Sequence, residues 1–271
     1  IIFNGEIYNY KEIKKELINK GIKFQNNSDT EVVLKGYELW GIEILKKLNG
    51  MFAFGIYDRK QKLLFIARDR AGEKPLYYYF KDKKFRFASE LKALMEYPGM
   101  PKNINYEAFN NYLHFGYVPN EKCILTNYNK LPPAHALLYD LKKNYIETWR
   151  YWEIPKYDSK NNLHTSDNDL IIEFEKLFED SIRLQLNADV PVGLLLSGGI
   201  DSSLVTAIAA RQSKNIKTFT IIFPGYNKYD ETQHAKLISD YFDTEHYELE
   251  ALPSSLETIH KLAYQFDEPN N

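Results

Sequence analysis

The sequence predicts two successive domains: an α+β domain with an antiparallel sheet, and then an α/β domain with a parallel sheet. In residues 51–88, short apolar runs are separated by polar turns, a pattern typical of β-hairpins. After residue 170, apolar strand-like runs alternate with helical patterns, which is typical of parallel strands joined by helices. We therefore place the first domain at residues 1–155, a polar linker at 156–169 and the second domain at 170–271.

The composition excludes several classes of partner. The 271 residues carry a formal net charge of −2 with acidic and basic residues interspersed, so no nucleic acid is expected as a partner. No apolar run approaches the length that spans a bilayer, so no membrane association is expected. Cys123 is the one cysteine, so the chain can form no internal disulfide, and we expect a reducing, cytoplasmic location.

The first domain is predicted to open with the end of a strand, a turn and two helices. Residues 1–3 form an apolar run, and Asn4-Gly5 is a strong turn signal. Apolar residues at helical spacing predict a first helix over residues 8–20. A second helix is predicted over residues 28–48, because a serine that can cap it is followed by acidic residues and a helical pattern.

Strands follow, each a short apolar run bounded by polar turn residues. They are predicted at residues 51–57, 63–67, 76–80, 85–88, 136–139 and 145–148. The last two would form a hairpin around a polar turn. Strands that neighbour one another along the chain in this way predict an antiparallel sheet.

In the second domain, apolar residues on one face predict a helix that starts at residue 170. The apolar run 192–196 has the length and composition of a buried parallel strand, and residues 204–210 have a helical pattern. Two further strand–helix units are predicted, with strands at 217–223 and 245–249 and helices starting at 230 and 256. A nucleotide would bind at the carboxyl ends of such strands.

The segment that follows the run 192–196 has the composition of an anion site. It consists of Ser197, Gly198, Gly199, Ile200, Asp201, Ser202 and Ser203. Glycines let the backbone approach a phosphate, the dipole of the following helix attracts an anion, and the hydroxyls add donors. Asp201 would be out of place beside a bare phosphate, but a carboxylate together with phosphate oxygens is a preferred Mg²⁺ site.

This loop is not a Walker A motif, because no Gly-Lys-Ser/Thr follows it. Its Ser-Gly-Gly-x-Asp-Ser pattern instead resembles the pyrophosphate-binding loop (PP-loop) of ATP pyrophosphatases, which split ATP into AMP and pyrophosphate. The alternative is an ordinary tight turn between a strand and a helix. The strand and helix patterns on either side favour the PP-loop.

Several motifs of the first domain occur in the order found in one enzyme family. They are residues 4–9 (Asn-Gly-Glu-Ile-Tyr-Asn), 28–31 (Ser-Asp-Thr-Glu), 49–54 (Asn-Gly-Met-Phe-Ala-Phe), 68–78 (Arg-Asp-Arg-Ala-Gly-Glu-Lys-Pro-Leu-Tyr-Tyr) and 87–94 (Phe-Ala-Ser-Glu-Leu-Lys-Ala-Leu). Together with the PP-loop, they resemble glutamine-hydrolysing asparagine synthetase, a class II amidotransferase, over nearly the full chain. The resemblance implies an N-terminal-nucleophile glutaminase domain of αββα layers. A Rossmann-like PP-loop domain, similar to the adenine nucleotide alpha hydrolases, would follow it.

The resemblance implies a glutamine site at four residues of the first domain. The Asn4 side-chain amide and the Gly5 backbone N–H would form the oxyanion hole, facing the charge that develops on the glutamine amide oxygen. Glu6 and Asp29 would also hold glutamine, since a carboxylate suits its α-ammonium group. Without the family match, Asn4-Gly5 would be a plain turn and Asp29 a helix cap. The charged residues 68–74 are left out of the site, because a structural corner between strands explains them equally well.

The family's nucleophile has no counterpart in this sequence. It is the cysteine at the mature amino terminus, whose own α-amino group is the general base. Ile1 is not a nucleophile, and Cys123 is internal, without a free amine or a histidine close in sequence, so we expect it to be a small buried or half-buried residue. We therefore expect this chain to be an internal fragment, lacking the amino-terminal cysteine and the carboxy-terminal part, that does not hydrolyse glutamine alone.

In the second domain, the resemblance implies an ATP site. Leu196 and Ile221 would contact the adenine or ribose, although Ile221 alone would be taken for a core residue. The pyrophosphate part of ATP would be held by Ser197, Gly198, Gly199, Asp201, Ser202 and Ser203. Asp201 is the candidate Mg²⁺ ligand. Asp267 and Glu268 match a family stretch near the ATP and aspartate sites, and their roles stay open.

The function that the resemblance implies is an ATP-dependent amide ligase coupled to a glutaminase. ATP would adenylate aspartate to β-aspartyl-AMP with release of pyrophosphate, and ammonia from glutamine would displace AMP to give asparagine. Glutamine, aspartate and ATP are thus the expected substrates and Mg²⁺ the cofactor, and a homodimer is left open. The alternatives are a related amidotransferase that acts on another carboxylate, and a nucleotide-binding remnant without catalysis.

Overall fold

The computed structural model describes residues 1–119, 121–156, 166–224, 230–251 and 256–269, without the side chains of 256 and 257. The chain divides into two compact units. The first comprises Ile1–Lys156 together with Leu256–Asn271, and the second comprises Tyr157–Ser255. Residues 256–269, which we placed in the second domain from sequence, thus lie with the first unit. Most of the predicted linker, residues 157–165, falls outside the described residues.

The first unit contains two antiparallel sheets and their helices. Its elements are β1 (Ile2–Ile7), α1 (Tyr10–Asn19), α2 (Asp29–Trp40), a 3-10 helix (Gly41–Lys46), β2 (Gly50–Asp58), β3 (Leu63–Arg68), β4 (Tyr77–Lys81), β5 (Lys84–Ala88), α3 (Leu91–Met95), α4 (Tyr106–Phe115), β6 (Tyr128–Lys130), β7 (His135–Asp140) and β8 (Tyr145–Arg150). The strand orders are β1-β2-β3-β7-β8 and β5-β4-β6, and every pairing is antiparallel.

The layers of the first unit follow from the alternation of side chains along β2. Phe54 faces a core formed with α1 and α2, whereas its neighbour Ala53 faces a core shared with Phe87 of the smaller sheet. On the far face of that sheet, Tyr79 packs with Leu91 of α3. The order is therefore helix, sheet, sheet, helix. Because β2 is covered on both faces, its apolar run is continuous rather than alternating.

The predicted turn at Asn4-Gly5 is wrong. Both residues lie inside β1, opposite Ala53 and Phe52 of β2. The glycine is explained by close approach instead: Gly5 has a φ of +152°, and a Cβ built on it would lie 2.1 Å from the Met51 carbonyl oxygen. Glycine is required here because the neighbouring strand leaves no room for a side chain, and not because the chain turns.

The predicted helix over residues 28–48 is two helices. Ser28 caps α2 as expected, since its Oγ accepts the Glu31 N–H over 3.3 Å. Gly41 then takes a φ of +59°, which ends α2 at Trp40, and a 3-10 helix follows. The apolar pattern continues past the glycine because Ile44 and Leu45 are buried.

The second unit is built on parallel strands, and a last helix of the chain lies with the first unit. Its elements are α5 (Asp167–Gln185), β9 (Gly193–Leu195), α6 (Ile200–Gln212), β10 (Lys217–Ile222), α7 (Thr232–Tyr241) and β11 (Glu245–Glu250); α8 (Leu256–Phe266) follows. The strand order is β11-β10-β9, and both pairings are parallel. No helix among the described residues is long and apolar enough to cross a membrane.

The core of the second unit lies on one face of its sheet. Leu194 of β9 packs with Ile182 of α5 and Ile208 of α6. Leu195 points to the other face and is 76% exposed, so the prediction of a fully buried strand is wrong for this residue. Ile221, on the neighbouring strand β10, is exposed as Leu195 is. Exposure of an apolar residue on this sheet is therefore not by itself a sign of nucleotide binding.

Candidate functional site

The Gly5 N–H points to the open edge of the larger sheet. Phe52, its partner on β2, makes its backbone hydrogen bonds away from β1. The Phe52 carbonyl accepts the Asp69 N–H over 2.8 Å, and the Phe52 N–H donates to the Asp69 carboxylate over 3.2 Å. Ile7, two residues after Gly5, donates its N–H to Asp29 over 3.0 Å rather than to β2. Because hydrogen-bonding directions alternate along a strand, the Gly5 N–H also points away from β2.

The side-chain amide of Asn4 belongs to the residue just before this backbone donor. Asn4 is exposed, and its Nδ2 donates to Ser89 Oγ over 3.0 Å. Next to it is a cavity of about 130 Å³, which is mostly apolar and is lined by Ile2, Phe3, Asn4, Ala53, Phe54, Gly55, Leu76, Phe87, Ala88 and Ser89. The Asn4 amide thus borders a small cavity, and the next residue supplies a backbone N–H at the open sheet edge; an oxyanion hole uses donors of these two kinds.

One hydrogen bond joins Asp29 to the residue that follows Glu6. Asp29 is the first residue of α2, and its Oδ2 accepts the N–H of Ile7, the residue after Glu6. This bond ties the start of α2 to the end of β1, although the two residues it joins are 22 positions apart. Asp29 therefore has a structural role in addition to the glutamine-binding role predicted for it.

Tyr8 marks an acidic region that the sequence did not single out. Burial raises the pKa of its hydroxyl, and the nearby carboxylates of Glu73, Asp69 and Glu6 raise it further. Such a group of carboxylates favours a cation, for example an ammonium group. Tyr8 belongs to the motif at residues 4–9, but a tyrosine at the start of a predicted helix is most simply explained as packing.

The charged segment after β3 is a structural corner. Asp69 is fully buried, and its carboxylate accepts backbone N–H groups from Phe52, Ala71, Gly72, Glu73 and Lys74. The guanidinium of Arg68 donates to three backbone carbonyls, and burial lowers its pKa. The charged groups of Arg68 and Asp69 are thus occupied by hydrogen bonds to the backbone, which is a structural role.

Cys123 is not placed to act as a nucleophile. Its side chain is fully buried, in a core with Tyr79 and Leu91. Burial raises the pKa of the thiol to about 12, and the Glu268 carboxylate acts in the same direction. A thiol that stays protonated at neutral pH and has no access to solvent is unreactive, as expected from the sequence.

The predicted ATP residues meet where β9 and β10 end. Leu196 donates its N–H to the Phe219 carbonyl over 2.8 Å, and its own carbonyl accepts the Thr220 hydroxyl. The Leu196 side chain is only 1% exposed, so it would reach a nucleotide through its backbone rather than its side chain. Ile221 is 51% exposed and is available for contact.

The loop itself is held by its serines. Ser197 Oγ lies 3.1 Å from Ser202 Oγ and accepts the Gly199 N–H over 3.3 Å. Gly198 has a φ of +78°, and a Cβ built on it would lie 2.5 Å from His234 Cβ of α7. Gly198 is therefore required by packing against α7 as well as by any phosphate that approaches the loop.

The start of α6 leaves donors available for an anion. Gly199 occupies the position before the helix, and no described side chain caps it. The Ser203 hydroxyl is buried and finds no partner among the described residues, which fits a group that would accept its hydrogen bond. Asp201 is exposed in the first turn, and the described residues contain no cluster of three or more metal-binding side chains. A cation here would thus depend on phosphate oxygens and water in addition to Asp201.

Two family models match the chain. The model of the glutamine amidotransferase domain matches residues 1–152, which is more than half of the chain. The model of asparagine synthase matches residues 173–271. The donors at Asn4 and Gly5 lie within the first match, and the loop over residues 197–203 lies within the second.

Three curated relatives show how far the similarity extends. A Methanocaldococcus jannaschii protein, provisionally named asparagine synthetase 2 (glutamine-hydrolysing), is 39% identical over 99% of this chain. Asparagine synthetases 3 and 1 (both glutamine-hydrolysing) of Bacillus subtilis are 37% and 35% identical, over 84% and 99% of this chain. The chain spans 52%, 37% and 42% of these three proteins, about half of their length or less.

One solved structure aligns with most of the chain. It is glutamine phosphoribosylpyrophosphate amidotransferase from B. subtilis in complex with ADP and GMP, and the alignment covers 96% of this chain and 49% of that one. The identity is 15% and the TM-score 0.39. At that score the likeness carries no argument about this chain.

Proposed function

Because this chain belongs to the family in which a glutamine amidotransferase domain precedes an asparagine synthase domain, we propose that the protein makes asparagine from aspartate, with glutamine as the nitrogen donor and ATP as the energy source. The single observation that carries the amidotransferase half is the Gly5 N–H, directed to the open sheet edge one residue after Asn4. The matching relatives bear the name of this activity, which supports the proposal.

At the first site, glutamine would place its side-chain carbonyl oxygen against the two amide donors. Attack on that carbon puts negative charge on the oxygen, and donors fixed in advance stabilise this charge without reorganising. Glu6 and Asp29 would bind the α-ammonium group, and the acidic surroundings of Tyr8 support a cation here. The apolar cavity beside Asn4 would receive the ammonia that is released.

At the second site, the loop and the start of α6 would bind the pyrophosphate part of ATP. A carboxylate oxygen of aspartate would attack the α-phosphorus, and pyrophosphate would leave. Ammonia would then attack the acyl carbon, lose a proton and expel AMP, which leaves the new C–N bond of asparagine. Ser203 and the free amides of α6 would hold phosphate oxygens, and Ile221 would contact the adenosine part.

Mg²⁺ would be held by Asp201 together with phosphate oxygens. When bound, it would neutralise the charge of the pyrophosphate group that leaves. Asp201 is exposed at the start of α6, so its carboxylate is free to reach a cation beside the loop. We place the cofactor here on the chemistry of this carboxylate and the adjoining anion site.

We further propose that these 271 residues do not hydrolyse glutamine by themselves, because Cys123 is a buried, protonated thiol. A single free cysteine fits a reducing cytoplasm. A homodimer stays a prediction.

The test is pyrophosphate release by the full-length gene product. The purified protein is assayed with ATP and Mg²⁺ in the presence of aspartate, of other carboxylic acids, or of no acid. We expect release only with aspartate, and asparagine as the product. Release that ignores aspartate but responds to another acid would identify an amidotransferase for that acid. ATP binding without release under any condition would identify a non-catalytic nucleotide-binding protein.

A further inference from the structure

The two donors of the proposed oxyanion hole are fixed in different ways. The Gly5 N–H is set by the backbone of β1, whose pairing with β2 determines its direction. The amide of Asn4 sits at the end of a rotatable side chain that is exposed to solvent. Among the described residues, the hydrogen bond from Nδ2 to Ser89 Oγ is the one contact that orients it.

We propose that Ser89 is a positioning residue for the amide of Asn4, an inference that rests on the proposed glutaminase function. Its Oγ accepts one of the two N–H groups of Asn4 Nδ2 over 3.0 Å, which leaves the second for the substrate oxygen. Ser89 also lines the cavity beside Asn4, so its hydroxyl lies at the site without needing to touch a reacting atom.

Ser89 lies on the short connection between β5 and α3, and hydrogen bonds hold the α3 end of this connection in place. It is half-buried between the last residue of β5 and the first turn of α3. Leu91, the first residue of α3, donates its N–H to Asp267 Oδ2 over 2.7 Å, and Lys92 Nζ lies 3.0 Å from Asp267 Oδ1. The Asp267 side chain is only 6% exposed. Asp267 therefore fixes the start of α3, two residues from Ser89.

These contacts form a continuous path from Asp267 through Leu91 and Ser89 to Asn4. Asp267 belongs to the segment that the asparagine synthase model matches, whereas Asn4 belongs to the segment that the amidotransferase model matches. Asp267 thus acts on the first site through Ser89. This gives Asp267 a role that is separate from the ATP and aspartate sites suggested by resemblance.

The first measurement follows Asn4 directly and needs no activity. The full-length protein is labelled with ¹⁵N-asparagine, and Asn4→Asp identifies the side-chain resonances of Asn4. We expect the exchange with water of the Nδ2 proton bonded to Ser89 to become several-fold faster in Ser89→Ala and to keep the wild-type rate in Ser89→Thr, which keeps a hydroxyl. Asp267→Asn should give an intermediate rate. Unchanged exchange in Ser89→Ala would overturn the proposal.

The second measurement is the kinetics of glutamine hydrolysis by the same variants. Loss of one oxyanion donor costs about 100-fold to 1,000-fold in kcat, so misorientation of that donor should lower kcat by about 10-fold. We expect this loss in Ser89→Ala with KM for glutamine within about two-fold, and recovery in Ser89→Thr. The matched control is Thr126→Val, which removes an exposed hydroxyl bonded to the Ile104 carbonyl and should leave kcat unchanged.

The outcomes separate this inference from the proposed function. A wild type without glutaminase activity would sink the proposed function, while the exchange of the Asn4 protons would still decide whether Ser89 orients that amide. Equal loss in Ser89→Ala and Thr126→Val, or a loss that appears only in thermal stability, would show a merely structural hydroxyl and overturn the inference.

Discussion

Gly5 shows how one missing side chain supports both the fold and the site. A Cβ at this position would lie 2.1 Å from the Met51 carbonyl oxygen, closer than any real contact. The approach of β1 to β2 that places the Gly5 N–H at the sheet edge is therefore possible only for glycine. The Asn4-Gly5 pair revealed the residue from sequence, but it suggested a turn, because the neighbouring strand is distant in sequence.

We predict that Gly5→Ala destabilises the first unit far more than an ordinary glycine replacement. The added methyl group clashes with backbone, which cannot move aside as a side chain can, so we expect a loss of about 3 kcal/mol or more. The matched control is Gly21→Ala, which has a φ of +85° but no atom within 4 Å and should cost about 1 kcal/mol. Chemical unfolding followed through the first unit compares them, and equal losses would refute the close approach.

Cys123 supplies a prediction about pH. Its pKa is raised from 9.0 to about 12 in the folded protein, chiefly by burial. A raised folded pKa means that the contribution of this thiol to stability is complete below pH 9, where it is protonated in both states. That contribution is lost between pH 9 and about pH 12, because the unfolded chain ionises first.

The measurement is the free energy of unfolding against pH for the wild type and for Cys123→Ala. We expect the wild type to lose stability more steeply above pH 9, since the variant has no thiol to ionise. Alkylation at pH 8 should also be much slower in the folded wild type than in the unfolded chain. Parallel pH profiles together with rapid alkylation would contradict the burial of Cys123.

At the scale of elements, the segment after α8 is anchored by nearly buried charges. Glu268 Oε2 lies 3.0 Å from Lys130 Nζ, and Glu268 Oε1 accepts the Ile124 N–H over 2.7 Å. The side chains of Lys130 and Glu268 are 17% and 10% exposed. Together with Asp267, Glu268 holds this segment against α3 and the end of β6.

We predict that Glu268→Gln destabilises the first unit by about 3 kcal/mol, because it leaves the Lys130 ammonium nearly buried without its counter-charge. The control is Glu16→Gln, whose partner Lys47 and own side chain are 37% and 41% exposed, and which should cost less than about 1 kcal/mol. Thermal unfolding of the two variants and the wild type makes the comparison. Similar losses in both would show that the Glu268 pair is no stronger than a surface ion pair.

Most strands could be predicted because the residues of each strand themselves indicate it. The missed elements lack such a clear signal in their own sequence. β2, β3 and β10 are rich in apolar or β-branched residues, and the structure places strands there within a residue or two. Helix α4 was missed, and in the structure only Ala108 of its side chains is fully buried. Its caps, Asn105 and Gly116, were the available signal.

The candidate sites were proposed from motifs rather than from hydrophobic patterns. The residues at 4–6 were found because their order matches a family, and those at 197–203 from the composition of the loop together with such a match. Ser89, Tyr8 and the partners of Asp267 instead depend on contacts between distant parts of the chain. Leu196 shows what a motif cannot predict. Its place in the motif was clear, but the burial of its side chain follows from packing that only the fold reveals.

At the scale of the whole molecule, the two proposed sites should fail separately. We predict that Asp201→Ala in the full-length gene product abolishes pyrophosphate release and leaves glutamine hydrolysis largely intact, because Asp201 lies in the second unit. The control is Asp180→Ala, which removes an exposed partner of Arg183 on α5 and should leave both activities unchanged. Loss of both activities in Asp201→Ala would contradict the division of labour between the units.

The anchored segment after α8 has an evolutionary consequence. Recombination at the polar stretch after residue 156 would separate two sequence domains, yet it would leave Lys92 and Lys130 of the first without Asp267 and Glu268. A transplanted amidotransferase domain would have to bring residues 256–269 with it or find equivalent acids in its new host. The two halves are therefore poor modules for exchange, and we expect them to have been inherited as a pair.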